Sequence, residues 1–311
     1  MMSNPKPAAL VFSTQVAKAR RLGAPVLALE SAVITHGLPR PENLELARAL
    51  EDETRAAGVT PATIAVIDGK VHVGLEPEEM QRLAEQPTDR KISRRDFGIA
   101  LAKGQTGGTT VAGTLIAAEM AGIRVFATGG IGGVHRGNPP DVSADLPELS
   151  RRKVIVVCAG AKAILDLPAT VEYLETMGVP VIGYRTEHFP AFYTSDSGLG
   201  VDARVESADE AARIAQAHWD LGLEGAVLVV QPPPEEAALQ PGQIDAAIRQ
   251  ALDEAAEQGL RGAALTPFLL GRVSQLSGGD SLRANLALLR SNARLGAQIA
   301  ASLPNPKQVR I

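Results

Sequence analysis

Two residue types suited to covalent and proton chemistry stand at the ends of apolar runs in this chain. Val154-Ile-Val-Val-Cys158 leads through Ala-Gly-Ala into Lys162, and Val26-Leu-Ala-Leu29 leads into Glu30. A lysine beside small residues in a desolvated pocket loses part of its preference for the charged form and can offer an amine to a carbonyl carbon. A carboxylate where an apolar strand ends can be buried enough to raise its pKa for proton transfer. Each has a plainer reading when taken alone. Lys162 would be a salt-bridged lysine at a strand end, and Glu30 would cap a turn or pair with an arginine.

Further groups of the same kind lie between them. Thr128-Gly-Gly-Ile-Gly-Gly-Val-His-Arg-Gly137 is a glycine-rich loop carrying His135 and Arg136. It is not a dinucleotide fingerprint: His135 occupies the place of the third glycine, and Pro139-Pro140 interrupts the helix that would receive a pyrophosphate. The glycines still allow a backbone to approach a ligand closely. His135 is open to phosphate contact, to proton transfer or to a structural role. Asp141, Ser143 and Asp145 form a compact set of oxygen donors that suits Mg²⁺ or Mn²⁺ retaining several waters, or else a loop-to-helix junction with a capping side chain. Few histidines and one cysteine argue against zinc. Lys91-Ile-Ser-Arg-Arg-Asp96 concentrates cations that would bind a phosphate or form a solvated face. Gly104-Gln-Thr-Gly-Gly-Thr-Thr110 precedes an apolar helix, where it would bind an anion or supply Thr109 or Thr110 as an N-cap. It lacks the Gly-Lys-Ser/Thr of a Walker A loop.

The elements that must position these groups alternate strand and helix. Apolar strand candidates lie at 26–29, 63–67, 125–127, 154–158, 179–183 and 225–230, with helical patterns near 43–57, 109–121, 163–176, 208–221, 243–257 and 280–301. This rhythm predicts an α/β fold: a single domain with a mixed, mostly parallel sheet flanked by helices on both faces. Pro41 and Gly58 bracket the helix-forming run Glu42 to Ala57, Gly178 closes another, and Pro232-Pro-Pro234 stops a strand. Residues 1–8 are expected to be a disordered lead-in and 9–311 one domain. In a parallel sheet, ligands collect beyond the carboxyl ends of the strands, where Glu30 and Lys162 are predicted to fall.

Composition narrows the function classes. With 31 basic and 35 acidic side chains among 311 residues, the net charge is −4. No basic stripe points to nucleic acid or to an anionic membrane. The chain is only 3% aromatic, so its core must be built from Ala, Val, Ile and Leu. Cys158, the single cysteine, reads as a small buried core residue, and no internal disulfide is possible. No signal-peptide pattern or bilayer-spanning run is present, so a cytoplasmic setting is expected.

Taken in order, the motifs resemble the pseudouridine-5′-phosphate glycosidase family, also described as indigoidine-synthase-A-like. They are Ala-Leu-Glu-Ser (28–31), Thr-His-Gly (35–37), Pro-Ala-Thr-Ile-Ala-Val-Ile (61–67), Lys-Ile-Ser-Arg-Arg-Asp (91–96) and the glycine loop (128–137). Asp-Val-Ser-Ala-Asp-Leu (141–146), Val-Cys-Ala-Gly-Ala-Lys (157–162), Thr-Pro-Phe-Leu-Leu (266–270) and Gly-Gly-Asp-Ser-Leu with Asn285 follow. The resemblance runs from about residue 10 almost to the end.

It implies reversible cleavage of the C–C glycosidic bond of pseudouridine 5′-phosphate to uracil and ribose 5-phosphate. Lys162 is then the nucleophile that forms a Schiff base with C1′ of the ring-opened sugar, and Glu30 is the proton donor. Asp141 matches an Mn²⁺ ligand. Lys91, Val111 and Ser143-Ala144-Asp145 match substrate contacts, and His135 and Asn285 fall in matching motifs assigned to the substrate. A homotrimer is implied, and a pseudouridine kinase is a natural source of the phosphorylated substrate. Two departures stand out: the stretch 137–141 is short for the family, and Gln231-Pro-Pro-Pro replaces a more usual Asn-Pro-Ile-Pro. The alternatives are another Schiff-base lyase or aldolase acting on a sugar phosphate, and a non-catalytic sugar-phosphate-binding module.

Overall fold

Runs of Val, Ile, Leu and Ala become strands buried on both faces, as parallel strands under helices must be. The computed structural model describes residues 10–136, 141–260 and 265–304. The expected lead-in and the short stretch 137–140 lie outside the described residues.

Twelve strands occur among the described residues: β1 (Leu10–Phe12), β2 (Val26–Leu29), β3 (Thr60–Ile67), β4 (Lys70–Val73), β5 (Gly107–Gly108), β6 (Val125–Ala127), β7 (Val134–His135), β8 (Ile155–Cys158), β9 (Leu165–Asp166), β10 (Val181–Tyr184), β11 (Ala203–Val205) and β12 (Val227–Val230). The main sheet runs β1-β4-β3-β2-β6-β8-β12-β10-β11, with β5 paired to β3, while β7 and β9 form a separate two-stranded ribbon. All neighbours in the main sheet are parallel except β3 with β4 and with β5. The expected mixed, mostly parallel sheet is therefore present, and each of the six expected strands forms. Along the row from β1 to β11, the added strands are the edges β1 and β11, each only three residues long, and β4, in which Lys70 and His72 interrupt the apolar run.

The chain leaves β2 toward β3 on one side and later builds β6, β8 and β12 on the other. The switch point thus falls between β2 and β6, where a crevice opens beyond their carboxyl ends. Register sets four chain segments in a row along that edge. Leu29 pairs with Ala127, Ala127 with Val157, and Cys158 with Val230. Glu30, Thr128, the segment after Cys158, and Gln231 are consequently neighbours.

Helices cover the sheet. The helix Val111–Met120 is apolar almost throughout and buried at seven positions, packing against β2, β3, β4 and β6. Thr110 caps it, accepting from the N–H of Gly113 at 3.2 Å. The long helix Asp280–Ser302 lies across β2, β6 and β8. Gly296 lets it approach, since a Cβ there would stand 2.9 Å from Leu27 and 3.1 Å from Ala127. Its buried face also carries Asn285 and Asn292, seven residues apart and so on one side of the helix. The helix expected from 163 starts at Leu167 instead. Leu165 and Asp166 pair in β9, and the Asp166 side chain caps the helix by accepting from Ala169 at 3.0 Å. Among the described residues, no helix is long and apolar enough to cross a membrane.

Candidate active site

A cleft opens at the switch point, and the residues singled out from sequence converge on it. Glu30, Lys91, Val111, His135, Ser143, Asp145, Lys162 and Asn285 all line it. Ala144 is exposed and contributes no lining side chain, and exposed Asp141 stands outside the lining, close enough to His135 for its charge to be felt there.

The glycine loop orders the cleft. Instead of the helix that a dinucleotide fingerprint would require, it enters β7. The Lys162 N–H donates to Ile131 O at 3.1 Å, which registers the lysine at the middle of the loop. On one side a Cβ on Gly132 would come within 2.3 Å of Ser143 Oγ and 2.7 Å of Asp145 Oδ2; on the other, a Cβ on Gly130 would meet the Phe192 ring at 2.6 Å. Only glycine fits at either place. Past Gly132 lie Ser143, Asp145, Lys91 and the N-terminus of the helix Val111–Met120, which form a polar pole. Phe192 stands against Gly130 and Leu289 against Gly129, an apolar pole with Asn285 one helical turn from Leu289, and Pro267 and Leu270 are further apolar residues of the lining.

Glu30 sits where β2 ends. The Thr128 hydroxyl donates a short hydrogen bond to Glu30 Oε1. Burial pushes the Glu30 carboxyl above the usual range, against the opposing pull of Lys162, of Thr128 and, more weakly, of Lys91. Lys162 makes no ion pair with a described residue, so the salt-bridged reading of it does not hold. Lys91 has its ammonium pushed below the usual range by burial and then by the like charge of Lys162. His36 and His135 are both lowered, chiefly by burial, with Lys91 adding to the effect at His36 and Lys162 at His135, where Asp141 opposes it. Cys158 is fully buried, and its thiol is pushed up to about 12.

Of the other cations of Lys91–Asp96, Arg95 is exposed and reaches Asp96 Oδ2 only at 4.0 Å, while Arg94, like the preceding Arg90, serves the fold. Arg94 pairs with the buried Glu148, Arg90 reaches Asp96 Oδ1 at 2.9 Å, and Asp96 accepts the Ser93 N–H at 3.1 Å. Only Lys91 turns to the cleft.

Asp141, Ser143 and Asp145 do not make a joint ligand set. Both Asp145 oxygens are taken, Oδ1 by the Ala112 N–H and Oδ2 by the Gly132 N–H, each at 2.8 Å. Ser143 Oγ accepts the Asp145 N–H at 3.3 Å. One carboxylate thus ties the capped helix to the glycine loop. Asp145→Asn turns one acceptor into a donor that faces a backbone N–H. It is expected to destabilise the protein by about 2 kcal/mol, read as a lower urea midpoint. A residue serving only the substrate would change KM and leave that midpoint in place.

Among the described residues, no group of three or more His, Cys, Asp or Glu could hold a metal alone. A hard divalent ion that keeps most of its waters needs only one exposed carboxylate, and Asp141 fits that need.

Residues 15–302 match the family model described as indigoidine synthase A-like protein. The chain belongs to that family. Among curated members, the pseudouridine-5′-phosphate glycosidase of Rhodospirillum centenum is 59% identical over 301 residues, covering 96% of this chain and 94% of that protein. The one from Caldanaerobacter subterraneus subsp. tengcongensis is 55% identical over 294 residues, covering 94% and 96%. Among solved structures, the prealnumycin C-glycosynthase AlnA in complex with ribulose 5-phosphate superposes with a TM-score of 0.89 at 41% identity, covering 98% of this chain and all of that one. The indigoidine synthase A-like protein of Thermotoga maritima gives 0.88 at 34% identity, covering 97% and 98%.

Several lining residues of this family member received no role from sequence: His36, Phe192, Thr266, Pro267, Leu270 and Leu289. Thr128, which grips Glu30, was also missed. A signal for it existed, because it follows β6 as Glu30 follows β2. Phe192 had only a faint one, as an aromatic residue in a chain poor in them.

Proposed function

We propose that this chain cleaves and forms the C–C glycosidic bond of pseudouridine 5′-phosphate, by way of a Schiff base between Lys162 and C1′ of the sugar. The observation that carries this reading is the meeting of Glu30 and Lys162 in one cleft between a polar and an apolar pole. Curated relatives bearing that activity in their names, at 55% and 59% identity, support it.

The chemistry needs an amine because the leaving atom is a ring carbon of uracil. Paired carboxylates suffice when a leaving oxygen takes the proton. Here Glu30, whose carboxyl burial shifts toward the protonated form, gives its proton to the ring oxygen as the C1′–O4′ bond breaks. Lys162 bonds to C1′, the C1′–C5 bond then breaks, and its electrons are taken up as C5 is protonated, freeing uracil. Water hydrolyses the remaining imine to ribose 5-phosphate and releases the lysine. The polar pole suits the phosphate. Lys91 supplies charge there, and the Val111 N–H faces it at the helix N-terminus, since Asp145 takes the Ala112 N–H and Thr110 that of Gly113. The apolar pole, with Asn285 beside it, suits the base. His135 and the backbone at Ser143-Ala144 complete the sugar-phosphate contacts on this reading. Asp141 would hold Mn²⁺, which supplies positive charge and ordered water near the phosphate when bound.

Incubating the protein with Mn²⁺ and pseudouridine 5′-phosphate should release free uracil, detected by chromatography. Intact substrate after prolonged incubation, or products cut within the sugar chain, would defeat the proposal. Lys91→Met should raise KM by about 10- to 100-fold with a smaller effect on kcat, as loss of a charged contact to phosphate does. Equal loss in both parameters would move Lys91 from binding to the reacting centre. The same reading carries a homotrimer, checked by sedimentation equilibrium.

A further inference from the structure

Behind the cleft, three buried polar side chains form a relay that ends on Glu30. Asn292, 1% exposed, donates from Nδ2 to the carbonyl oxygens of Thr128 at 2.7 Å and Gly129 at 3.3 Å. Its Oδ1 accepts from Gln231 Nε2 at 2.8 Å. Both donors of the carboxamide are therefore used, and Gln231 sets which way it faces. Gln231 follows β12, anchored by its N–H to Cys158 O at 3.0 Å. Thr128 follows β6, with its N–H on Val157 O at 2.9 Å and its hydroxyl on Glu30.

We infer that Asn292, oriented by Gln231, is a positioning residue for Glu30: it holds the turn that aims the Thr128 hydroxyl at the carboxylate. This rests on the role proposed for Glu30 as the acid. The physical reason is that β6 ends at Ala127, so the sheet no longer pins the Thr128 carbonyl. A buried carbonyl needs a partner. With Asn292 in place the 128–129 peptide has one orientation, and the hydroxyl on the same residue inherits it. Without it the segment keeps the Thr128 N–H to Val157 O and Ala159 N–H to Gly129 O bonds, but the buried Thr128 carbonyl loses its partner, the peptide shifts to find another, and Glu30 loses an aimed donor that favours its ionised form. The charged and titratable groups that face Glu30 or share its cleft are Lys162, Lys91, Asp145, His36 and His135. Neither Asn292 nor Gln231 hydrogen-bonds any of them, so substitution leaves the local charges unchanged.

The test follows Glu30 directly, by ¹³C NMR of protein labelled at the glutamate carboxyl carbon, with the resonance assigned through Glu30→Gln. Asn292→Leu, close in volume, should move the Glu30 titration midpoint upward, as Thr128→Val does, while Thr128→Ser restores it. In uracil release, Asn292→Leu should lower kcat about tenfold with KM within about twofold, and adding Thr128→Val should bring no further loss. A folded Asn292→Leu protein with an unmoved midpoint, or losses that simply add in the double variant, would overturn the inference. Gln231→Met removes only the outer hydrogen bond and serves if Asn292→Leu does not fold; a smaller upward move is expected, and none would equally overturn it. Titration needs no turnover, so a wild-type protein that releases no uracil defeats the proposed function while this test still stands.

Discussion

Lys162→Ala is expected to abolish uracil release, lowering the rate by at least about a thousandfold, and to leave the fold intact. The wild-type protein, incubated with ribose 5-phosphate and borohydride, should gain the mass of a reduced pentose phosphate at Lys162, and the variant should gain none. The size of the effect follows from the leaving group. The electrons of the C1′–C5 bond leave with C5, so C1′ needs another pair, and the Lys162 nitrogen supplies it by forming the imine, which a carboxylate oxygen does far less well. Lys162→Arg should fare no better, because a guanidinium stays protonated and cannot add to carbon. Stability should hold, since Lys162 makes no ion pair with a described residue and its charge opposes that of Lys91. Uracil release that survives Lys162→Ala would remove the covalent step from the mechanism.

Glu30→Gln should lower kcat by about 10²- to 10⁴-fold, the usual worth of a positioned general acid. The borohydride adduct with ribose 5-phosphate should persist, because Lys162 remains. The same substitution should stabilise the protein at neutral pH. As pH rises past 4.5, the unfolded glutamate gives up its proton, but the folded one keeps it until its own higher pKa is passed. Folding of the wild type therefore weakens across that window and stays weakened above it. The variant has no proton to lose. Its melting temperature should exceed that of the wild type at pH 7 to 8, with the gap closing at pH 4. A variant no more stable than wild type at neutral pH would mean that Glu30 is not held protonated by its surroundings, and the acid role would fall with it.

The parts of this fold legible in the sequence are those made by local periodicity. Val26–Leu29, Val125–Ala127, Ile155–Cys158 and Val227–Val230 announce themselves because strands buried on both faces must be apolar at every position. The ribbon of β7 and β9 was not legible. Each has two residues, and pairing between 134 and 166 is decided by the surrounding loops. Leu165-Asp166 therefore read as the beginning of a helix. Among the site residues, Glu30 and Lys162 stood out by type and by place at strand ends. Thr128 stood equally at a strand end, but a hydroxyl carries no charge to mark it.

Asp145 shows most clearly where sequence reading ends. Its neighbours Asp141 and Ser143 suggested one cluster of oxygen donors. In the fold its two oxygens are spent on backbone N–H groups at 112 and 132, so a cluster of three became a brace and one exposed carboxylate. Asn292 likewise read as one polar residue in a helix until its partners at 128, 129 and 231 came into place.

By itself the sequence determined which chemistry this protein could attempt. An acid and an amine each followed an apolar strand, with ordered motifs naming the family. Tertiary structure alone decided that the strands run side by side from β2 to β12, that the cleft has a polar and an apolar pole, and that Glu30 is gripped from behind. The physical reason is range. Strand and helix patterns arise between residues a few positions apart, but burial, hydrogen-bond partners and the pKa of Glu30 are set by groups about a hundred positions away in the chain.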